Sequence, residues 1–361
     1  MEQKQKIKLL IFLPSRECGG TEKYVSLLCN NINKQKFDVS LALVNDAHPF
    51  YEISNDVELI DLNCRRVRHS LPEIQKLVKE KEPDLIFSNA NHLNLLFAIN
   101  RKKFPRSIPI VARESSVVSK NSMRASLPWL YRSLIKIYYR RLDHIICQSD
   151  FMRNDLITKF NFPSEQITVL HNPVEDIPTT GPLAANTTFI TVARLSEEKG
   201  IDRIIRSVAR LPFPFQYFIA GEGDKRKDLE ELIEKLNLKE KVILVGEKLH
   251  PYHGLENASL MLIGSYYEGF PNVALEAGVL GIPIIAFETV GGINEIVKEG
   301  FNGSLVKDND EHAFAEAIIN ALHQNFNRPA IIEGTRNSFG LKKIIEQTES
   351  FFTGLVKRHE L

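Results

Sequence analysis

The residues best suited to chemistry lie in the stretch Tyr267–Gly278, between an apolar run, Leu260–Gly264, and a helix. Asn272 is placed to cap that helix. The first N–H groups of a helix have no internal partners, so they attract phosphate. Glu268 and Glu276 flank this helix end and can accept hydrogen bonds from hydroxyls. A sugar nucleotide offers both groups, whereas the plain alternative is a βα turn with two surface glutamates.

Other loops that follow apolar runs carry charge and glycine. Arg194 can fork onto phosphate oxygens, and Lys199 in the same loop supplies a compact positive charge, so the two suit a diphosphate. Gly221 and Gly223 let the backbone pass close to a ligand, and Gly246 follows the next strand and could face a base edge. Each loop by itself is also typical of an ordinary surface turn.

The first loop of the chain contains Gly19 and Gly20 and opens a helix after the strand Lys8–Leu13. It lacks the third glycine of a dinucleotide fingerprint, so NAD binding is not supported. The two N–H groups are expected to contact the phosphate or sugar of a donor, the alternative being a simple capped turn.

The composition indicates an ordinary globular chain. It has 361 residues, 43% hydrophobic and 25% charged, with a net charge of +1, which gives no general bias toward nucleic acid. Four cysteines, without metal-ligand spacing, fit reduced thiols. The polar N-terminus does not read as a signal peptide, and no apolar run approaches the roughly 20 residues of a membrane span. A cytoplasmic protein, at most peripheral to the inner face of the membrane, is expected.

Two series of short apolar strands separated by helical patterns predict an α/β protein with two doubly wound parallel sheets. A Pro-, Thr- and Gly-rich segment, residues 175–187, separates the series. The domains predicted are residues 1–175, residues 188–340, and a last helix, residues 341–361, that crosses back to the first domain. Thirteen strands are predicted, at residues 8–13, 39–44, 57–60, 84–87, 110–112, 144–147, 167–170, 189–192, 215–219, 242–245, 260–263, 283–287 and 303–306.

Taken together, these features resemble glycosyltransferase family 4. The resemblance covers nearly the whole chain, although the first half contributes little beyond its diglycine. It rests on Gly19-Gly20, Asn172-Pro173, Arg194 with Lys199-Gly200, Gly221-Glu222-Gly223, Glu268 to Asn272, Glu276-Ala277, Gly281-Ile282-Pro283 and Gly291-Gly292.

The resemblance implies a GT-B fold, with two Rossmann-like domains facing across a cleft, and a retaining transferase that uses a nucleotide sugar. Arg194 and Lys199 are implied to hold the donor diphosphate, Glu276 the ribose and Glu268 the transferred sugar, so Glu268, Arg194 and Lys199 are the expected catalytic residues. The expected donor-binding residues are Gly19, Gly20, Gly221, Gly223, Gly246, Glu268, Gly269, Phe270, Pro271, Asn272, Val273 and Glu276.

The acceptor side is less defined. Where the family often carries a histidine, this chain has Arg113 and Glu114. Glu114 could accept the acceptor proton, Arg113 could bind an anionic acceptor, or the two could form a structural ion pair. His92 is a third acceptor-side candidate, with a purely structural role as its alternative.

A double displacement needs a carboxylate under the anomeric carbon, and the only one expected near it, Glu268, is implied by the resemblance to bind the sugar. The expected mechanism is therefore departure and attack on the same face, with retention. The donor phosphate helps to deprotonate the acceptor, and no metal is required. The Asp308-Asn309-Asp310 stretch precedes a helix and is interpreted as a cap, with Asp310 at the N-cap, rather than a metal site.

Residues 60–160 contain 19 Lys and Arg against 9 Asp and Glu, so the first half has a basic face. An aromatic and basic stretch from Arg124 to Arg141, with Arg65–Arg68 and Arg101–Lys103, suits contact with anionic lipid, the alternative being a solvated helix face.

The predicted function is transfer of a hexosyl unit, from UDP-glucose, UDP-GlcNAc or a similar UDP-sugar, to a lipid-linked or saccharide acceptor in surface polysaccharide, exopolysaccharide or glycolipid synthesis. The alternatives are a nucleotide-sugar epimerase of the same fold and a non-catalytic binding protein.

Overall fold

The computed structural model describes residues 6–123, 127–178 and 186–360, and the chain divides into two compact units. The first unit contains the residues up to Pro173 together with those from Leu341 onward, and the second contains Val174–Gly340. The predicted linker, residues 175–187, therefore belongs to the start of the second unit, although residues 179–185 lie outside the described part.

The first unit is built on a seven-stranded parallel sheet of order β3-β2-β1-β4-β5-β6-β7. Its central strands β1, β4, β5 and β6 are largely apolar and buried because helices cover both faces, whereas the edge strand β3 is mostly exposed. The elements are β1 Ile7–Leu13, α1 Gly20–Asn31, β2 Phe37–Leu43, β3 Glu58–Asp61, α2 Leu71–Lys81, β4 Leu85–Asn89, α3 Asn91–Asn100, β5 Ile110–Arg113, α4 Val118–Met123, α5 Pro128–Tyr138, β6 His144–Cys147, α6 Asp150–Phe160 and β7 Ile167–Val169.

The second unit has a six-stranded parallel sheet of order β10-β9-β8-β11-β13-β15 and a separate pair, β12 with β14. Hydrophobic clusters cover both faces of this sheet. The elements are β8 Thr188–Val192, α7 Ile201–Val208, β9 Gln216–Ala220, α8 Arg226–Lys235, β10 Val242–Gly246, β11 Leu260–Ile263, β12 Tyr267–Glu268, α9 Asn272–Val279, β13 Ile284–Phe287, β14 Val290–Gly291, α10 Ile293–Ile296, β15 Gly303–Val306, α11 Glu311–His323 and α12 Arg328–Phe339.

The last helix, α13 Leu341–Glu360, packs in the first unit, as far as its described side chains show. Phe352 is fully buried, and its ring lies 5.1 Å from that of Phe87 on β4. Burying a phenylalanine contributes about 2–3 kcal/mol. Glu349 accepts a hydrogen bond from Asn33 N at 2.8 Å, so α13 is fixed to the loop between α1 and β2 as well as in the core.

The predicted fold class is confirmed. Thirteen of the described strands correspond to the predicted apolar runs, with ends that differ by at most two residues. The other two described strands, β12 and β14, have only two residues each. The four cysteines are free thiols. Among the described helices, none combines the length and the apolar character needed to cross a bilayer.

Candidate active site

The order of strands in the second unit defines where its site lies. β8 and β11 are neighbours at the point where the strand order reverses, and ligands of such sheets bind outside the carboxyl ends of the strands at this point. The loop after β8 carries Arg194 and Lys199, and the loop after β11 carries Glu268. The topology therefore brings the cationic loop beside the acidic one.

Lys199 and Glu268 form an ion pair in this structure. Nζ of Lys199 lies 2.6 Å from Oε1 of Glu268, and the two side chains are 22% and 14% exposed. Ser265 Oγ donates to the same carboxylate oxygen at 2.6 Å. The carboxylate is half-buried, oriented by two donors, and next to a cation.

The turn that carries Glu268 is fixed by the pairing of β12 with β14. Gly291 has φ +133°, and a Cβ built there would lie 1.5 Å from the carbonyl oxygen of Glu268, so only glycine fits. Gly292 N donates to Gly269 O at 3.0 Å. Phe270 is buried, with its ring 5.5 Å from that of Phe339, and anchors the end of the turn in the core.

Helix α9 begins one residue earlier than the sequence predicts. Pro271 occupies the N-cap and makes no side-chain hydrogen bond there, so Asn272 is the first helical residue and the prediction that it caps the helix is wrong. The physical reason is that Pro271 already has the extended backbone of a cap, with φ −71° and ψ 112°. Asn272 and Val273 therefore contribute N–H groups at the positive end of the helix dipole.

Glu276 lies one turn into α9 and is only 6% exposed. Its Oε2 accepts a hydrogen bond of 2.7 Å from the hydroxyl of Tyr252, which is also buried. Burial raises the pKa of Tyr252 well above its usual range, and the Glu276 carboxylate raises it further, so this phenol stays a donor. Sequence reasoning identified Glu276 and missed Tyr252, which lies 24 residues earlier.

The glycines that follow β9 serve the neighbouring loop. A Cβ on Gly221 would lie 1.9 Å from Ala193 O, and one on Gly223 would lie 2.2 Å from Leu195 O. Leu195 N donates to Glu222 O at 2.8 Å, so the backbone on both sides of Arg194 is packed against this turn.

The side chain of Arg194 itself is exposed, and within the described residues no contact joins it to Lys199 or Glu268. Gly246, with φ +78°, accepts a hydrogen bond from Gly221 N at 2.9 Å and so extends the same backbone layer.

The diglycine of the first unit stands at the start of α1. Gly19 is the N-cap residue, with extended backbone, and Gly20 opens the helix and is exposed. A Cβ on Gly19 would lie 2.1 Å from a carboxylate oxygen of Glu22, the far end of a flexible side chain. A side chain at position 19 would therefore collide with the movable carboxylate of Glu22 and not with backbone.

Glu114 is buried at the end of β5. Its Oε1 accepts hydrogen bonds from Asn94 Nδ2 and from Tyr139 OH, both at 2.9 Å, whereas Oε2 has no partner in the described part of the chain. Burial raises the pKa of Glu114 to about 6, although these hydrogen bonds lower it.

Arg113 is fully buried beside it, and the two side chains do not pair with each other in the described structure. Its guanidinium lies 3.6 Å from the ring centroid of Tyr24 and donates through Nη2 to Asn172, while Nε and Nη1 have no partner among the described residues. Burial lowers the pKa of Arg113 to about 10.

The loop after β4 lies next to β5 and is also unusual. Asn89 is fully buried, and neither its amide oxygen nor its amide nitrogen finds a partner among the described residues. Ala90 has φ +80°, which is rare for a residue with a side chain and is characteristic of functional sites. His92 is exposed in the first turn of α3. Sequence reasoning missed Asn89 because a short polar residue at a strand end gives no pattern.

The acidic stretch before α11 acts as interpreted. Asp310 is the N-cap, and its side chain accepts from Ala313 N at 2.9 Å. Across the described residues, no group of three or more His, Cys, Asp and Glu side chains is arranged to hold a metal ion. Metal independence of the reaction stays a prediction.

Two family models match the chain, Glycosyltransferase Family 4 over residues 18–176 and Glycosyl transferases group 1 over residues 177–338. Among curated relatives, the N-acetylgalactosamine-N,N'-diacetylbacillosaminyl-diphospho-undecaprenol 4-alpha-N-acetylgalactosaminyltransferase of Campylobacter jejuni is 28% identical over 341 residues, which cover 90% of this chain and 92% of the relative.

Solved structures agree on the fold. Sucrose-phosphate synthase from Thermosynechococcus elongatus has a TM-score of 0.84 at 19% identity. The match covers 98% of this chain and 100% of the synthase chain. Anabaena HepE in complex with UDP-glucose has a TM-score of 0.78 at 20% identity, with 96% and 100% coverage. The two units are thus the Rossmann-like units of a GT-B fold, and the chain belongs to glycosyltransferase family 4.

Proposed function

We propose that the protein is a retaining hexosyltransferase that uses a UDP-hexose, such as UDP-glucose or UDP-N-acetylglucosamine, and a lipid-linked or saccharide acceptor in the synthesis of a surface polysaccharide or glycolipid. One observation carries the donor side of this proposal. Glu268 is held by Lys199 and Ser265, each at 2.6 Å, in the loop that leads into α9, where Tyr252 orients Glu276. A nucleotide sugar carries hydroxyls, which the two carboxylates can bind, and phosphates, which the cation and the start of the helix can bind.

The roles follow from charge. Lys199, Arg194 and the N-terminus of α9 stabilise the departing nucleoside diphosphate, and Glu268 binds hydroxyls of the transferred sugar. The bond from the anomeric carbon to the diphosphate breaks, and the acceptor oxygen bonds to that carbon on the same face. The acceptor proton goes to an oxygen of the departing phosphate. Since this cationic set balances the charge, we expect turnover to survive treatment with EDTA.

The identity of the donor rests on the similarity to Anabaena HepE, which was solved in complex with UDP-glucose. A thermal-shift screen of UDP, GDP and their sugars tests it, because a ligand that binds only the folded state raises the apparent stability. Turnover of the selected donor is then measured in Lys199→Ala and Glu268→Ala, with Lys239→Ala as a matched control, since Lys239 pairs with Glu234 on the surface. Turnover retained in the two site variants would refute this site, and the anomeric configuration of the product, read by NMR, tests retention.

For the acceptor we propose the loops after β4 and β5 in the first unit, with Arg113, Glu114 and His92. Support comes from the unpartnered buried atoms of Asn89, Arg113 and Glu114. A short-prenyl diphosphate-linked N-acetylhexosamine is a suitable probe, since the Campylobacter relative is named for a diphospho-undecaprenol acceptor. Arg113→Lys and Glu114→Gln should raise the acceptor KM at least about tenfold and leave slow donor hydrolysis within about twofold, because they do not touch the donor. Equal loss of both activities would contradict an acceptor role.

We also propose that the first unit contacts anionic lipid through what we call the α4–α5 face, defined by the exposed apolar residues of these helices and the loop between them. Trp129 is 68% exposed and Ile137 59%, and the cations Lys136, Arg140 and Arg141 are exposed beside them. An aromatic and apolar patch with a basic rim suits a lipid interface. The face comprises Met123, Leu127, Trp129, Leu130 and Ile137.

One basic residue named from the sequence, Arg101, does not contribute to the basic surface, and another, Arg124, lies outside the described residues. Arg101 is buried, with its guanidinium 3.1 Å from Asp143 and bonded to backbone carbonyls, so its inclusion in the basic surface was wrong. Its neighbours Lys102 and Lys103 are exposed.

Trp129 is the only tryptophan of the chain and therefore reports on this face directly. We expect a blue shift of its emission on vesicles containing phosphatidylglycerol, reduced by salt and absent with phosphatidylcholine alone. Ile137→Glu should reduce the shift, whereas Leu249→Glu, at an exposed apolar position of the second unit, should not. An unshifted emission at low salt would refute the lipid contact.

A further inference from the structure

A buried arginine of helix α7, Arg203, holds the loop that leads to Glu268. Its side chain is 2% exposed, which is rare for arginine. Nε donates to Gly264 O at 2.6 Å, and Nη2 donates to Ser265 O at 2.8 Å. One guanidinium therefore binds the two carbonyls that directly follow β11.

Asp308 and two aromatic rings fix this guanidinium in place. Nη1 lies 2.5 Å from Oδ1 of Asp308, and Cζ lies 4.0 Å from the ring centroids of both Tyr266 and Phe287. A planar cation with a fixed fork of donors can satisfy carbonyls, carboxylate and rings together, whereas the single ammonium of lysine cannot. Asp308, the first acid of the stretch before α11, thus has a partner distinct from the cap at Asp310.

Helix α7 begins two residues after Lys199, with Gly200 as its N-cap. Gly200 has φ +53°, and a Cβ there would lie 2.1 Å from Gly264 O, so the two loops touch through their backbones. Tyr266 N also donates to Glu198 O at 2.9 Å. Arg203 therefore binds the second loop at the point where it packs on the first.

Ser265, whose backbone carbonyl accepts a hydrogen bond from Arg203, also contacts the carboxylate of Glu268. Ser265 Oγ donates to Glu268 Oε1, the oxygen that also faces Lys199. We propose that Arg203, oriented by Asp308, is a positioning residue that sets the Glu268 carboxylate for the sugar of the donor. The identity of the ligand rests on the function proposed above, whereas the positioning of Glu268 does not.

Loss of the fork should affect the sugar more than the nucleotide, because Arg203 acts through Glu268 and not through Glu276. We expect Arg203→Lys and Asp308→Asn to lower kcat with the selected UDP-sugar at least tenfold, with Asp308→Asn the milder of the two. Affinity for free UDP should not fall by more than about twofold, because a weaker ion pair with Glu268 leaves Lys199 more available to the diphosphate. Arg203→Met should be at least as impaired as Arg203→Lys.

The matched control lies one turn along the same helix. Arg206 is 42% exposed and pairs with Asp202 at 2.7 Å and Glu311 at 3.3 Å, away from the loop after β11. Arg206→Lys removes the same guanidinium chemistry from α7, and we expect its kcat to stay within twofold of the wild type.

A second readout does not depend on any donor. Lysines are labelled by reductive methylation with ¹³C, and the Lys199 signal is assigned from its loss in Lys199→Arg. Glu268→Gln gives the signal of Lys199 without its carboxylate. We expect Arg203→Lys to move the Lys199 signal toward that position and Arg206→Lys to leave it in place.

These measurements separate the two proposals. If no nucleotide sugar is turned over but the Lys199 signal moves as expected, the proposed function fails and the positioning role stands. An unmoved signal with unchanged kcat in Arg203→Lys overturns the positioning role. Equal losses of UDP affinity and kcat, with a lower melting temperature, also overturn it, because they indicate general destabilisation.

Discussion

Nζ of Lys199 and Oε1 of Glu268 lie 2.6 Å apart, although 69 residues separate them in the chain. The cation expected to bind phosphate is therefore paired with the acid expected to bind sugar. When a nucleotide sugar binds, Lys199 has to pair with its diphosphate and Glu268 with its sugar, so the ion pair between the two side chains is broken. A free diphosphate gains Lys199 only in competition with Glu268, whereas a nucleotide sugar gives each side chain a new partner.

Replacement of Glu268 by Gln should separate nucleotide affinity from turnover. Without the carboxylate, Lys199 is free for the diphosphate, so UDP should bind about fivefold more tightly at low salt, or about 1 kcal/mol. Turnover of the UDP-sugar should fall roughly 100-fold because the sugar loses a charged hydrogen-bond partner. Calorimetric titration with UDP and a kinetic assay measure the two effects. Weaker UDP binding in Glu268→Gln would contradict the competition.

Replacement of Tyr252 by Phe should weaken nucleotide binding through Glu276. The change leaves the buried Oε2 of Glu276 without this donor, and a lost hydrogen bond to a charged group costs about 1.5–3 kcal/mol. We expect a lower free energy of unfolding in urea and a several-fold weaker affinity for UDP. Tyr217→Phe is the control, since its hydroxyl bonds Thr191 at 2.7 Å in the same unit. A loss of UDP affinity in both variants would argue against a specific role for Tyr252.

Glu114 should make the stability of the protein depend on pH. Burial raises its pKa from 4.5 to about 6, so the folded state binds the proton more tightly than the unfolded state. This contribution to stability is complete below pH 4.5 and is lost as the pH rises through about 6, an effect of about 2 kcal/mol. The free energy of unfolding of the wild type should therefore fall relative to that of Glu114→Gln between pH 4 and 7. Parallel profiles would show that Glu114 does not titrate in this way.

His144 should act in the opposite direction. It is buried, with Nε2 2.8 Å from Thr168 Oγ1 and its ring 4.9 Å from that of Phe351 on α13. Burial and, second to it, the positive charge of Arg358 lower its pKa from 6.5 to about 4. The stability that this shift contributes is present above pH 6.5 and is lost as the pH falls through about 4, up to about 3 kcal/mol. His144→Gln should flatten the profile in this range, and amide exchange in α13 should lose its acid sensitivity. Unchanged exchange would place the acid response elsewhere.

The sequence by itself determined the secondary structure and the character of the loops. Strands buried on both faces must be apolar throughout, so runs such as Leu260–Ile263 identify a parallel sheet. A helix start is a local event, so Asp310 was recognised as a cap, and the start of α9 was missed by only one residue because proline can occupy the cap position itself. Glu268 and Glu276, which lie before and after the start of α9, could be identified from the sequence for the same reason.

The tertiary structure decided which of these groups meet. Lys199 faces Glu268, Tyr252 bonds Glu276, and Arg203 and Arg101 turn inward although arginine is usually exposed. None of these contacts produces a periodic pattern in the amino-acid sequence. They depend on which strands are neighbours and on the few ångströms between their loops, and only the folded sheet fixes both.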